Sequence, residues 1–380
     1  MNFELTTAQK DAQKLAREFT EKQLLPGILE RDSSSTFPVE AHKKFGELGF
    51  IGLPYPKEVG GQGGDYLSYI LAVEETSKVD ASFGIAYSVC TSLYGGSVMA
   101  TNIPVDTKKK FMEKVLSGKS FGSFALTEPT AGSDVAGALT QAVQDGDSYV
   151  INGSKCFITN APLSDYFVVY AFIDPASKAK TMACFVVEKG TPGFSIGKIE
   201  DKMGIRSAQV AELAFQDVRV PAANMIAEPG KGFGLAMKTL DGGRIGVAAQ
   251  GLGIAKGAFE VARKYMMERQ QFGKPLFANQ YLGFKMAELQ TYIDMAELML
   301  YKAAMDKEEG RPFSVSAAKA KLCCTDVAME VTTQCVQMMG GNGYMKEYHV
   351  ERMMRDAKIT QIYEGTNEIQ KLIVSGGLFK

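Results

Sequence analysis

The chain has little or none of several residue types on which common catalytic and metal sites depend. Its 380 residues include two histidines, His42 and His349, and no tryptophan. Two histidines supply few partners for Ser-His or Cys-His catalysis, so acid–base chemistry is expected to fall to carboxylates. The six cysteines form no C-x-x-C pair, which argues against zinc and iron–sulfur sites and predicts buried free thiols.

The chain also lacks an excess of charge and a long apolar run. Lys and Arg number 42 against 43 Asp and Glu, which gives a net charge of −1 and no sign of a nucleic-acid-binding surface. No apolar run approaches the roughly 18 residues that span a membrane. The first residues form neither a signal peptide nor an Arg-rich transit peptide. We therefore expect no nucleic-acid or membrane partner and a cytoplasmic bacterial location, with a matured mitochondrial matrix protein as the alternative.

Hydrophobic periodicity changes twice along the chain and predicts three domains. Residues 1–122 follow a helical period, which begins at a Thr6–Gln9 capping box, and predict an N-terminal helical domain. Residues 123–228 are short β-prone segments between turns and predict a middle β-barrel or sandwich. Residues 229–380 return to long helical segments, which predict an antiparallel four-helix bundle. The expected fold class is α+β.

Two local predictions concern the middle and the end of the chain. Asn152-Gly153 is a strong hairpin signal, so a turn between two strands is expected there. The period over residues 347–372 predicts one long helix that carries Glu364.

Glu364 is the carboxylate with the clearest chemical potential, because an apolar run leads up to it and Gly365 follows. A carboxylate held among apolar neighbours is desolvated, which raises its pKa towards neutrality and suits a general base. For an isolated Glu-Gly pair, the ordinary interpretation is a solvated side chain before a helix-ending glycine. Four other clusters bear on this choice.

Two of these clusters lie in the predicted β domain. Residues 124–134 run from an apolar strand into a loop of Thr, Pro, Gly and Ser, whose N–H groups and hydroxyls can bind the oxygens of a ring or phosphate. Phe157 and Thr159 are two residues apart and are expected on one face of a strand, suited to stacking on a flat ring. Taken alone, each is more often a plain loop or strand end.

The other two clusters lie in the predicted bundle. Asp241 and Arg244 are neighbours on a helix, either as a surface ion pair or as a holder for an extended substrate. The two glycines between them cost helix stability and suggest that something large passes close by. Arg269 and the glycine-rich turn at 337–344 can both serve phosphates.

In this order and spacing, the clusters resemble one family, the acyl-CoA dehydrogenases, over essentially the whole chain. The most specific pieces are Leu126-Thr127-Glu128-Pro129, Ala131-Gly132-Ser133-Asp134, Asp241-Gly242-Gly243-Arg244, residues 269–273, and residues 354–358 followed by Ile362-Tyr363-Glu364-Gly365-Thr366. The chain is most similar to the short-chain branch of butyryl-CoA dehydrogenases and enoyl-CoA reductases. The resemblance implies FAD bound without a covalent bond, a homotetramer built as a dimer of dimers, and an electron-transferring flavoprotein as partner.

The resemblance also implies roles for individual residues, with Glu364 as the catalytic base. The cofactor would be bound by Phe124, Leu126, Thr127, Ser133, Phe157, Thr159, Arg269, Phe272, Gln280, Gln337, Gly341, Thr366 and Glu368. The substrate would be contacted by Ser133, Asp241, Arg244, Tyr363 and Gly365. Arg269, Gln280 and the turn at 337–341 would reach the ADP part of FAD from a neighbouring subunit. The family often has Trp where Phe157 stands, so stacking there is expected to differ somewhat.

Gly243 provides an internal check on the base. Some relatives carry the base at the residue before the Arg of the Asp-x-x-Arg motif, and here that residue has no side chain. The resemblance therefore assigns the base to Glu364 and argues against an isovaleryl-type branched-chain enzyme.

The expected function is α,β-dehydrogenation of a short-chain acyl-CoA. The alternative is a reductase of crotonyl-, acryloyl- or caffeyl-type CoA esters in an electron-bifurcating complex with an electron-transferring flavoprotein and NADH. Residues 83–96, with Tyr87 and Tyr94, are expected to line the end of the acyl pocket, and an aromatic acyl group stays open. The intact Glu364 and the balanced charge disfavour a non-catalytic or DNA-binding relative, and the chain length disfavours an acyl-CoA oxidase.

Overall fold

The computed structural model describes residues 4–174 and 177–379; the start of the N-terminal stretch inspected for a targeting signal, residues 1–3, lies outside them. The α-helices of the described residues are α1 (Thr7–Phe19), α2 (Ile28–Ser34), α3 (Val39–Glu47), α4 (Tyr66–Ser77), α5 (Ala81–Ser88), α6 (Gly96–Met99), α7 (Val105–Leu116), α8 (Gly232–Glu268), α9 (Gln280–Glu308), α10 (Ser314–Met338), α11 (Val350–Thr360) and α12 (Asn367–Leu378). The strands are β1 (Phe121–Ala125), β2 (Gln141–Asp145), β3 (Ser148–Thr159), β4 (Ser164–Phe172), β5 (Met182–Glu188), β6 (Phe194–Ile199), β7 (Val210–Pro221), β8 (Met225–Ala227), β9 (Gln270–Gln271) and β10 (Lys274–Pro275).

The helical N-terminal part begins as its sequence predicts. The Thr6 hydroxyl accepts a hydrogen bond from Gln9 N and the Gln9 side chain accepts one from Thr6 N, so the capping box is confirmed. Every residue of α4 is buried, and its hydrophobic face is not confined to one side. The buried stretch that follows is α5, a π-helix over Val89–Gly95, and α6. This segment packs against both α8 and strand β1 of the sheet.

The strands β1 to β8 form one mixed sheet with the order β6-β7-β3-β2-β4-β5-β8, and β1 pairs in parallel with β4. Rings from strands that are not hydrogen-bonded neighbours meet inside it. Phe167 of β4 lies 4.9 Å from Phe194 of β6, and Tyr149 of β3 lies 5.1 Å from Phe185 of β5. The sheet therefore curls around a core of its own, separate from the core shared by the helices.

The hairpin predicted at Asn152-Gly153 is wrong, because β3 runs through both residues without turning. The turn lies at 146–147, where β2 and β3 meet in antiparallel register. Gly153 has a φ of 147°, and a Cβ there would lie 2.5 Å from Thr140 Oγ1. The register with β7 also shifts next to Gly153. Gly153 therefore allows a β-bulge and the close approach of Thr140, and it does not mark a turn.

The C-terminal helices form an antiparallel bundle in which α8 packs against α9, α10 and α11, and α10 also packs against α12. The single helix predicted over 347–372 is wrong. It is divided into α11 and α12, and the chain between Gln361 and Thr366 is not α-helical. Apolar residues continue the helical period across this connection, which is why the break was not visible in the sequence.

Helix α11 is fixed to both other parts of the molecule. The Asp356 carboxylate accepts hydrogen bonds from Ile205 N at 2.5 Å and from Arg352 Nη1 at 2.7 Å. Arg355 Nη2 donates to Asp32 Oδ2 in α2 at 2.8 Å. Ile205 belongs to the β part and Asp32 to the N-terminal helices, so α11 is anchored on two sides just before the connection that carries Glu364. Within the described residues, no helix combines the length and apolar character needed to cross a membrane.

Candidate active site

Glu364 lies in the connection between α11 and α12, in a left-handed turn. Its φ is 52° and that of Gly365 is 94°, a conformation that glycine adopts freely and glutamate rarely. Thr366 ends the turn as the N-cap of α12, where its hydroxyl accepts a hydrogen bond from Ile369 N at 3.4 Å. Glu368 follows in the first turn of α12 and is exposed. The turn aims Glu364 away from α12 and into the interior.

The Glu364 carboxylate is buried against α8. Within residues 4–174 and 177–379, neither carboxylate oxygen has a hydrogen-bond partner. A Cβ added to Gly243 would overlap Glu364 Oε2 and would lie 2.7 Å from Leu93 Cδ2. Burial raises the pKa of Glu364 to about 7, against the opposing charges of Arg244 and Lys321. An unpartnered carboxylate with this pKa can exchange a proton near neutral pH.

The adjacent glycines Gly242 and Gly243 of α8 make room for side chains of the same chain. Gly243 faces Glu364, and a Cβ on Gly242 would lie 2.7 Å from Lys307 Nζ. The Lys307 ammonium lies 3.8 Å from the centre of the Tyr66 ring, and the Tyr66 hydroxyl donates to Gly242 O at 3.1 Å. Burial lowers the pKa of Lys307 to about 7. No sequence pattern pointed to Lys307, which lies more than 60 positions after Gly242 in the chain.

Arg244 and Asp241 form a buried ion pair beside the Glu364 turn. Arg244 is 5% exposed, its Nη1 donates to Asp241 Oδ1, and its Nε donates to Glu364 O at 3.4 Å. The Ser314 hydroxyl donates to Asp241 Oδ1 at 3.1 Å. The pair is therefore not the surface ion pair that helix spacing alone favours.

Aromatic and hydroxyl side chains close the space around Glu364. The Tyr363 hydroxyl donates to Gln250 Oε1 in α8. The Tyr69 hydroxyl lies 2.9 Å from Ser88 Oγ, which in turn lies 3.3 Å from Ser92 Oγ. These groups bond to one another, and the described residues leave the carboxylate without a hydrogen bond.

Tyr87 and Tyr94 are fully buried in the N-terminal core. Their hydroxyls donate to Phe50 O at 3.1 Å and Phe111 O at 2.8 Å. Both tyrosines therefore have packing partners of their own. Burial and the charge of Glu364 both raise the pKa of Tyr69.

The loop that follows β1 is held by a buried ion pair that sequence reasoning missed. Lys155 Nζ donates to Glu128 Oε1 at 2.8 Å and to Leu126 O at 3.0 Å. The same carboxylate accepts from the backbone N–H groups of Leu139 and Thr140 at 2.5 and 3.0 Å. Both charged side chains are almost completely buried. The loop is thus closed around Glu128, and the signal in the sequence was Lys155, the one charged residue of β3.

The predicted ring-binding residues lie at the ends of β1 and β3. Phe157 is 66% exposed with a φ of 58°, and the register with β7 shifts beside it. The bulge means that simple alternation no longer decides whether Phe157 and Thr159 share a face. Thr159 O accepts from Ser123 Oγ at 2.8 Å, which joins the two strand ends. In the loop beyond, Ser133 is exposed.

A line of contacts connects these strand ends with the middle of α8. The Phe124 and Tyr170 rings are 5.2 Å apart, and the Tyr170 hydroxyl lies 3.1 Å from Ser97 Oγ. Ser97 Oγ lies 3.4 Å from Thr239 Oγ1, one helical turn before Gly243. The β1 and β3 ends are thus linked through β4 and α6 to the part of α8 that carries Gly243. An exposed aromatic ring and a loop with free hydroxyls fit a flat cofactor there.

The remaining predicted cofactor residues lie at the far end of the bundle. Arg269, Phe272, Gln280, Gln337 and Gly341 are all exposed, and Phe272 is 99% exposed. Arg269 ends α8, 25 residues after Arg244, which corresponds to about 38 Å along a straight helix. Asn342 Nδ2 donates to Tyr265 OH at 2.8 Å and ties the glycine-rich turn to the same end of α8. One chain does not bring this group to Glu364.

Three family models match the chain in succession. "Acyl-CoA dehydrogenase, N-terminal domain" matches residues 6–119, "Acyl-CoA dehydrogenase, middle domain" matches 123–218, and "Acyl-CoA dehydrogenase, C-terminal domain" matches 230–379.

Whole-chain relatives agree with these matches. "Acyl-CoA dehydrogenase, short-chain specific" of Clostridium acetobutylicum is 51% identical over all of both chains. "Acryloyl-CoA reductase (NADH)" of Anaerotignum propionicum is 43% identical and covers all of this chain and 96% of the relative. A chain of the solved structure "Electron transferring flavoprotein of Acidaminococcus fermentans: Towards a mechanism of flavin-based electron bifurcation" is 48% identical over all of both chains, with a TM-score of 0.98.

Proposed function

The chain belongs to the acyl-CoA dehydrogenase family, and on that premise we propose that it oxidises a short-chain acyl-CoA to the 2-enoyl-CoA with FAD. The observation that carries the chemistry is the buried, unpartnered carboxylate of Glu364 beside Gly243. Whole-length similarity to a short-chain-specific acyl-CoA dehydrogenase supports the substrate class. A cytoplasmic location is part of the same proposal.

Glu364 is proposed to remove the α-proton of the thioester. Its pKa of about 7 makes it a base that holds the proton weakly enough to release it and strongly enough to take it. The absence of a side chain at Gly243 lets the carboxylate lie against α8, and the thioester is proposed to bind beside it. Tyr363, bound to Gln250, keeps water from the same carboxylate.

The backbone of Glu364 is proposed to stabilise the charge that develops on the thioester oxygen. Within the described residues, the Glu364 N–H donates no hydrogen bond, because the nearby backbone bonds begin at Ile362, Tyr363 and Asn367. A free N–H in a fixed turn is a donor of the kind that oxyanion sites use. Arg244 binds the carbonyl of the same residue, which restrains the turn that presents this N–H.

FAD is the cofactor that these residues suit, and it supplies the acceptor for the β-hydride. Phe124, Leu126, Thr127, Ser133, Phe157 and Thr159 are proposed to hold its ring and pyrophosphate, and Thr366 and Glu368 to contact it beyond the base. Arg269, Phe272, Gln280, Gln337 and Gly341 are proposed to hold the ADP part bound to a neighbouring subunit. Their exposure, and the length of about 38 Å along α8 between Arg244 and Arg269, support a role in a second subunit's site. Asp241, Arg244, Ser133, Tyr363 and Gly365 are proposed to contact the substrate.

The same site can run in reverse as an enoyl-CoA reductase, with Glu364 protonating Cα. Two relatives favour this second function. One is an acryloyl-CoA reductase that uses NADH, and the other belongs to a structure concerned with flavin-based electron bifurcation. In both directions we propose a homotetramer and an electron-transferring flavoprotein as the redox partner.

The base assignment is tested by Glu364→Gln in the FAD-loaded protein. The variant should keep its flavin but lose about 100- to 10,000-fold in the rate at which butyryl-CoA bleaches the flavin anaerobically. Glu347→Gln makes the same chemical change at an exposed position and should bleach at the wild-type rate. A Glu364→Gln variant as fast as wild type would show that the base lies elsewhere.

Direction and acyl group need a second experiment. Turnover is measured with saturated and 2-enoyl-CoA esters of different chain length, including aryl-acryloyl-CoA, with and without an electron-transferring flavoprotein and NADH. Oxidation of butyryl-CoA with transfer to the flavoprotein supports the dehydrogenase. NADH-driven reduction of enoyl-CoA that depends on the flavoprotein supports the reductase, and a protein that cannot take up FAD would overturn both.

A further inference from the structure

We propose that Lys321 is a positioning residue that holds the Glu364–Gly365 turn by the carbonyl of Gly365, so that the base stays over Gly243. The inference rests on the proposed role of Glu364. Lys321 lies on α10, 43 positions before Glu364, and nothing in the sequence connects the two.

Lys321 is a buried lysine whose hydrogen bonds go to neutral groups, and burial lowers the pKa of its ammonium to about 7. The residue is 0% exposed, and its Nζ donates to Gly365 O and to Asn367 Oδ1, each at 2.9 Å. Within residues 4–174 and 177–379, no carboxylate forms a salt bridge with it, although Glu364 is the strongest charge that favours its protonated form. Burying an ammonium without a paired carboxylate is unfavourable. A residue retained at that cost is more easily explained by the turn it holds than by packing.

The rest of the α10 surface here binds the same turn. Asn367 Nδ2 donates to Thr325 Oγ1 at 3.0 Å and to Asp326 Oδ1 at 2.8 Å. Gln361 Nε2 also donates to Asp326 Oδ1, at 2.6 Å. The two ends of the connection, Gln361 and Asn367, are therefore fixed to α10, and Lys321 holds its middle.

Arg244 and Lys321, which lie on two different helices, donate hydrogen bonds to consecutive backbone carbonyls. Arg244 of α8 donates to Glu364 O at 3.4 Å, and Lys321 of α10 donates to Gly365 O at 2.9 Å. Both residues of the turn have positive φ, and glutamate is rarely stable there without support. Removing one of these two hydrogen bonds should let the Glu364 side chain leave its place over Gly243.

Lys321 also acts on the charge of Glu364. The charged and titratable groups that face the carboxylate are Arg244 from α8, Lys321 from α10, Tyr66 and Tyr69 from α4, and Tyr363 beside it. Arg244 and Lys321 both favour the ionised carboxylate. Loss of Lys321 removes one of these charges, so Glu364 should ionise at a higher pH.

The test compares Lys321→Met with Lys321→Arg in the FAD-loaded protein. The Met variant should reduce its flavin with butyryl-CoA about 100-fold more slowly, and its pH profile should move to higher pH. Hydrogen–deuterium exchange of the peptide spanning 361–370 should speed up, which reports on the turn independently of activity. The Arg variant keeps the charge and should recover part of the rate and the wild-type pH profile.

Lys319→Met is the matched control, since Lys319 lies two residues before Lys321 on the same helix and is exposed. It should change neither rate, pH profile nor exchange. If Lys321→Met loses activity but keeps the wild-type pH profile and exchange, or keeps full activity, the inference is wrong. Lys321→Gln replaces the Met variant if the latter does not fold. A wild-type protein that never bleaches with any acyl-CoA would instead refute the proposed function.

Discussion

The Glu364 site and the cluster of Arg269, Phe272, Gln280, Gln337 and Gly341 lie in the same bundle but differ in how complete they are. Around Glu364, Arg244 and Lys321 each donate a hydrogen bond to the backbone turn within one chain. At the far end, the five residues are exposed, and the Phe272 ring is 99% accessible.

The difference separates groups that one chain positions from groups that need another molecule. A carboxylate buried without a hydrogen bond is costly, so a folded chain must already hold the surroundings that keep it there. An exposed Phe at positive φ gains nothing from its own chain. The exposure of Phe272 is explained if its partner is a cofactor or a second subunit, as proposed above.

The largest effect is expected from placing the same methyl group in both regions. Gly243→Ala puts a Cβ where Glu364 Oε2 lies, so the carboxylate must move and the bleaching rate should fall about 100-fold or more. Gly341→Ala meets nothing within 4 Å in one chain and should leave folding unchanged. Anaerobic flavin reduction and thermal melting measure the two.

The Gly341 variant sharpens the comparison through its flavin. If Gly341→Ala folds normally but holds FAD less tightly, another molecule occupies the space that is open in the single chain. Equal reduction rates for Gly243→Ala and wild type would contradict the close contact between α8 and the Glu364 turn.

A smaller effect is expected from Arg269→Ala. A charged hydrogen bond to a phosphate contributes about 1.5–3 kcal/mol, so the Kd for FAD should rise roughly 10- to 100-fold. Turnover per bound flavin should stay near wild type, because Glu364 is untouched. Flavin retained after gel filtration gives the affinity, and Lys264→Ala, an exposed cation on the last turns of α8, is the control. A fall in turnover with full flavin occupancy would show that Arg269 affects the reaction at Glu364, although the two residues lie far apart in one chain.

The sequence predicted the two regions unequally, and the reasons are physical. The periods of α8, α9 and α10 were visible because their apolar residues recur every three to four positions. The break before Glu364 was not, because Ile359, Ile362 and Tyr363 continue that period through a non-helical turn. Local pattern thus found the helices and missed the turn that carries the chemistry.

The burial of two lysines was also not predicted from the sequence. Lys155 and Lys321 are both inaccessible, and each binds a group far away in the chain, Glu128 or Gly365. A lone lysine in a sequence is almost always interpreted as solvated, since lysine is rarely buried. Asn152-Gly153 failed for a related reason: the glycine makes room for Thr140, a contact that hairpin statistics do not include.

The smallest effect, about tenfold per pH unit, comes from titration and should act on the buried region alone. The pKa of Glu364 is raised to about 7, so the ionised base becomes scarcer by about tenfold for each pH unit below that value. For acyl-CoA oxidation, kcat/KM should therefore rise with pH up to about 7 and then level off. For enoyl-CoA reduction the protonated acid is needed, so kcat/KM should be level below about 7 and fall above it. FAD retention should stay constant over the same range, because the exposed cluster contains no carboxylate or histidine. Profiles of the same sign in both directions would mean that Glu364 does not carry the proton in both.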